Sequence, residues 1–147
     1  MLFLRLPLLL LSLLFTSFSW AQIGDFTLAD WPKTQASLKP IYVKAIMEQA
    51  GVHKVSFKRD GDFYVAELDR FSAFAQEKNY RPYLKTSVAQ NLATIAVIHC
   101  DWGNGVPPLE FAQGYLGDKQ LELLKPLYGD AITKLENNCS DVSSSPE

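Results

Sequence analysis

A histidine, a cysteine and an aspartate stand side by side at His99, Cys100 and Asp101. An imidazole oriented by a carboxylate is a general base, and a thiolate beside it is a nucleophile. The spacing argues against using the three together. Successive helical residues point about 100° apart, so His99 and Asp101 face different ways and three adjacent positions do not converge on one metal ion. His99 therefore reads as a core histidine satisfied by a backbone or carboxylate partner, with a small hydrolase centred on it as the alternative. His53, the second histidine of the chain, falls beside a helix end and reads as a surface or capping residue. Asp60-Gly61-Asp62 lacks the remaining ligands of a calcium loop, so these acids read as turn and cap chemistry. Nucleophile-elbow, phosphate-loop, zinc-spacing and haem-attachment motifs are all missing. The expectation is a non-enzymatic protein with no cofactor and no metal.

The fate of Cys100 depends on where the chain works. Met1 to Arg5 carries one positive charge, Leu6 to Phe18 is almost unbroken apolar sequence, and Ser19-Trp20-Ala21 places small residues at −3 and −1 before Gln22. Residues 1–21 thus read as a cleavable signal peptide. An uncleaved anchor is the competing reading, since a span needs about 20 apolar residues, but Pro7 and the small residues suit cleavage better. A periplasmic or secreted protein follows, with no stable membrane insertion after cleavage. In that compartment disulfides persist, so Cys100 and Cys139 are expected to form one intramolecular bridge.

Charge narrows the partner. Fourteen Lys and Arg against sixteen Asp and Glu leave a net charge of −2. Lys54, Lys58, Arg59, Arg70, Lys78, Arg81 and Lys85 are interleaved with acids across separate elements, whereas nucleic acid asks for a concentrated basic face. A protein partner in the cell envelope is expected instead.

The elements that must position these residues are mainly helical. The expected fold is mainly α (α+β): about five helices with one β-hairpin packed on them, in a single compact domain at 22–139 with a disordered tail at 140–147. Phe26, Leu28 and Trp31 should pin an irregular lead-in. Leu38, Ile41, Tyr42, Ala45, Ile46 and Ala50 mark a helix whose regular part spans 40–50, capped by Gly51. At 52–68 the period changes: Val55 and Phe57, then Phe63 and Val65, alternate with other residues around Arg59-Asp60-Gly61, which predicts the hairpin. The competing reading there is a helix from Asp62 to Lys78. With the hairpin, Asp69 becomes the N-cap of a short helix ending at Asn79.

Pro82 to Cys100 is expected to be one central helix, because Leu84, Val88, Leu92, Ile95 and His99 share a stripe. Pro107-Pro108 opens a short helix to Leu116. The last helix runs from Asp118 to Asn138, with Leu121, Leu124, Tyr128, Ala131, Ile132 and Leu135 on one face and a kink at Pro126. Two surfaces remain as candidates for binding. The loop after the central helix offers Asp101, Trp102 and Asn104 at the root of the disulfide, and the hairpin tip offers Lys58, Arg59 and Asp60 with both signs of charge. Rigid loops carrying aromatics are good anchors. An exported binding protein, of the inhibitor or immunity type that neutralises an envelope-acting toxin or hydrolase, fits these parts. A helical ligand-carrying module is the further alternative.

Overall fold

The computed structural model describes residues 26–52, 56–101, 116–137, 139 and 140, and among these described residues there are five α-helices. The expectations for the leader, His53, Val55, Trp102, Asn104, the 107–116 helix and most of the tail lie outside the described residues. Helix α1 is Lys39–Val52, α2 Gly61–Glu77, α3 Arg81–Leu84, α4 Val88–Ile98 and α5 Asp118–Glu136. A 3-10 turn at Trp31–Lys33 precedes them. The lead-in is pinned as expected: Leu28 and Trp31 are fully buried, and Trp31 Nε1 donates to Asp69 at 2.8 Å.

Helix α1 forms with Pro40 in its first turn, where the missing N–H costs nothing. Its inward stripe differs from the expected one. Val43 and Ile46 are buried, while Leu38 and Ile41 stay 40% and 63% exposed.

The β-hairpin at 52–68 is not formed, and the described residues contain no strand. In its place α2 runs unbroken for 17 residues, close to the competing reading of a helix from Asp62 to Lys78. The reason is periodicity. Tyr64, Glu67, Leu68, Phe71, Ser72 and Ala75 are all buried, and steps of three and four sustained over three turns outweigh an alternation only a few residues long. Asp60 caps the helix by accepting from the Phe63 amide at 2.9 Å, which is cap chemistry rather than a hairpin turn. Asp69, expected as an N-cap, lies inside α2 and instead receives Trp31 Nε1 and, at 2.7 Å, Lys39 Nζ. Asn79 ends the helix with a left-handed φ of 52°, the conformation asparagine tolerates best after glycine.

The expected helix from Pro82 to Cys100 is two helices. Ser87 breaks it by taking the Gln90 amide on its hydroxyl and starting α4. The freed backbone near the break pairs with the lead-in: Leu28 N–H donates to Thr86 O, Ala29 N–H to Leu84 O and Val88 N–H to Phe26 O. Helix α4 is central, with eight of its residues buried. It packs on α2 and on α5. Helix α5 kinks where Pro126 removes an intrahelical donor, and Tyr128 leaves helical geometry at φ −125°. Leu121, Leu124, Tyr128, Ile132 and Leu135 remain on its buried face.

Cys100 and Cys139 form the expected disulfide, with Cα atoms 5.7 Å apart. Each follows a helix end in left-handed geometry, with φ of 56° and 59°. The bridge therefore clamps the C-terminal ends of α4 and α5.

Candidate functional site

The end of α4 explains how three adjacent reactive residues part company. Asp101 N–H reaches back to Ala96 O at 2.8 Å, and the left-handed turn at Cys100 sends His99, Cys100 and Asp101 in three directions. Cys100 goes to Cys139. His99 and Asp101 go to separate partners, so no dyad forms between them.

Asp101 is only 3% exposed. Its carboxylate accepts from the Lys58 amide at 2.7 Å, from the Arg59 amide at 3.2 Å and from the Tyr64 hydroxyl. One buried carboxylate thus holds the loop before α2 to the end of α4. Charged acceptors make the stronger class of hydrogen bond. Tyr64 is fully buried. Burial, and then the Asp101 carboxylate, push its hydroxyl well above the usual tyrosine range, so it stays a donor.

His99 Nε2 instead donates to Glu67 at 3.1 Å. The other oxygen of Glu67 pairs with Arg70 at 2.8 Å. The imidazole stands edge-to-face between Phe63 and Tyr128, at 5.1 and 5.4 Å between ring centres. Burial holds its pKa below the ordinary value although Glu67 pulls the other way. The Tyr128 hydroxyl is buried beside Glu67, and burial, reinforced by the Glu67 charge, raises its pKa.

These groups surround an open cleft of about 610 Å³ at the disulfide end. Lys58, Arg59 and Asp60 form one rim, Phe63, His99 and Asp101 the floor, and Lys134 the far wall beside both cysteines. Lys58 and Arg59 are exposed, and the Arg59 guanidinium lies 4.5 Å above the Phe63 ring. The rim is cationic on a chain of net charge −2. Lys58, Arg59 and Lys134 outnumber Asp60 and Asp101 on the lining by three charges to two, so the cleft carries a small net positive charge.

The structure brings together four residues picked from the sequence: Lys58, Arg59, Asp60 and Asp101. They do not meet as a hairpin tip and a separate loop. They are one surface, because Asp101 binds the loop directly. Glu67, which beside Asp69 reads from the sequence as turn and cap chemistry, is instead the partner of His99. Its signal was present, since an acid at position 67 falls on the 64, 68, 71, 75 stripe and a buried acid requires a partner. Among the described residues no group of three or more His, Cys, Asp or Glu side chains is arranged to hold a metal ion, and no helix is long and apolar enough to cross a membrane. Comparison with protein-family models, with curated proteins and with solved structures finds no match to this chain.

Proposed function

We propose that this chain is an exported, non-enzymatic binding protein that meets a protein partner in the cell envelope through the cleft beside Cys100–Cys139. The observation that carries the reading is the Asp101 clamp: two backbone amides of the Lys58-Arg59 loop are held by one buried carboxylate. A loop fixed before binding loses little entropy on binding, and its exposed cations are already placed. The disulfide and the leader-like sequence at 1–21 support a role outside the cytoplasm. The cationic rim suits an acidic segment of the partner, and Trp102 and Asn104 stay candidates for binding it from the sequence alone. An inhibitor or immunity-type protein acting on an envelope toxin or hydrolase is the class these parts fit.

The test is capture from envelope extract with the purified protein as bait. A Lys58→Glu/Arg59→Glu variant should lose the partner, and raised salt should weaken the parent's capture. Retention of every partner by the variant refutes the reading.

A second reading rests on the Glu67–His99 pair. A carboxylate-oriented imidazole at the floor of an open cleft is the geometry of a general base, and it would serve a small hydrolase. That reading requires a hydrolytic activity that His99→Ala abolishes without lowering thermal stability. A large loss of stability in that variant marks His99 as a core residue instead.

A further inference from the structure

His99 sits on the floor of the cleft with one ring nitrogen bonded and one open. Nε2 donates to Glu67 at 3.1 Å, which fixes the tautomer and leaves Nδ1 with its lone pair. Among the described residues Nδ1 takes no hydrogen bond, and it is not a buried orphan. It is therefore open to water on the cleft that the ring lines. A carboxylate brought to this nitrogen meets a second lone pair while the imidazole is neutral, and a charged donor once it is protonated.

The charges around the ring decide what must accompany that proton. On α2, Glu67 already pairs with Arg70 at 2.8 Å, so one carboxylate would have to serve two cations. Arg59 lies over the Phe63 ring, and the same ring packs on His99. From α5, Tyr128 packs edge-to-face on His99 and stays uncharged. Lys58, Asp60, Asp101 and Lys134 complete the charged lining. Four cations thus face three acids before the imidazole gains a proton. An anionic group of the occupant, reaching Nδ1 from the cleft, supplies the missing negative charge.

We propose that the partner's acidic segment seats a carboxylate at His99 Nδ1, and that the imidazole takes up one proton from solvent as it does so, which makes docking stronger in mildly acidic surroundings. The inference rests on the docking reading above and adds to it the residue that senses pH and the sign of the effect. In the empty cleft, burial first and then Arg59 and Arg70 keep the proton off, against the pull of Glu67. A bound carboxylate offsets the arginines, and by linkage proton and partner then strengthen each other's binding.

The probe is a capped tetra-aspartate peptide, which stays ionised throughout because its side chains titrate at about pH 4. It is titrated into the purified protein in low salt at about pH 7.5 and about pH 5.5, on either side of the ordinary histidine range, with the His99 ring signals followed by NMR. Affinity should be about four-fold higher at the acid end, and saturating peptide should raise the His99 titration midpoint by about 0.7 pH unit. His99→Gln, which keeps a donor for Glu67, should lose the gain on acidification, and its missing ring signals distinguish His99 from His53. Binding without a gain, the same gain in His99→Gln, or a His99 midpoint that the peptide leaves unmoved overturns this inference and leaves the docking reading standing. No binding at either pH overturns both.

Discussion

Replacing Asp101 by alanine removes the acceptor of three hydrogen bonds at once. Lys58 and Arg59 are exposed residues, so water recovers part of what their amides lose, leaving a cost of about 1 kcal/mol each. The Tyr64 hydroxyl belongs to a residue with no exposure and stays orphaned, at about 2 kcal/mol. The total is about 4 kcal/mol, a large share of the stability of an ordinary domain. In a domain of this size that corresponds to a fall in Tm of about 12 °C. Asp101→Asn keeps one acceptor oxygen but turns a donor toward donors, and should lose about half as much. Urea unfolding of the parent, both single variants, Tyr64→Phe and the double variant measures the terms separately. With Tyr64→Phe already in place, Asp101→Ala should cost about 2 kcal/mol less, because the orphaned hydroxyl is gone. A loss below about 1 kcal/mol for Asp101→Ala, or strict additivity with Tyr64→Phe, refutes the clamp.

Three further outcomes follow from the same structure. Cys139→Ala opens a closure of 39 residues and should cost about 4 kcal/mol in the chain-entropy model, read as a difference in urea midpoint between parent and variant and reproduced in the parent by reductant. The His99 imidazole is held below its ordinary pKa of 6.5 by burial, so the unfolded chain takes up that proton first as pH falls. Stability is complete above pH 6.5 and declines below it; His99→Gln, which keeps a donor for Glu67, should flatten that decline in urea titrations run above the onset of carboxylate protonation. Asp60→Ala removes the cap of α2 and should cost about 1 kcal/mol, and Asp60→Asn should restore most of it.

The elements legible in the sequence are those whose signal is both long and local. The central character of α4, the buried face of α5, its kink at Pro126 and the end of α2 at Asn79 follow from apolar spacing and from backbone rules for Pro and Asn. The disulfide is legible through the compartment that residues 1–21 predict and through a chain that holds two cysteines. The hairpin was misread because Val55, Phe57, Phe63 and Val65 alternate only locally, and an Asp-Gly-Asp sequence serves a turn and a helix N-terminus equally well. What decided between them was tertiary: Tyr64, Leu68 and Phe71 bury together in the core. The break before α4 was hidden for a similar reason. Ser87 as an N-cap stabilises the break only when Phe26 to Ala29 is at hand to pair with the exposed backbone, and that contact is remote in sequence. The same remoteness hid the site's wiring. Asp101 meets residues 58, 59 and 64, and His99 meets residue 67, so no local pattern reveals either pair.

The cleft as a docking surface is tested most directly inside cells, by placing the photo-crosslinking residue p-benzoylphenylalanine at Arg59 and, as a control, at Gln76. Both positions are exposed, and they are separated by nearly the whole length of α2, about 24 Å. Irradiation should give one discrete adduct with an envelope protein from position 59 and none from position 76. The same adduct from both positions, or no adduct at 59 from a protein that still captures the partner from envelope extract, would contradict the account.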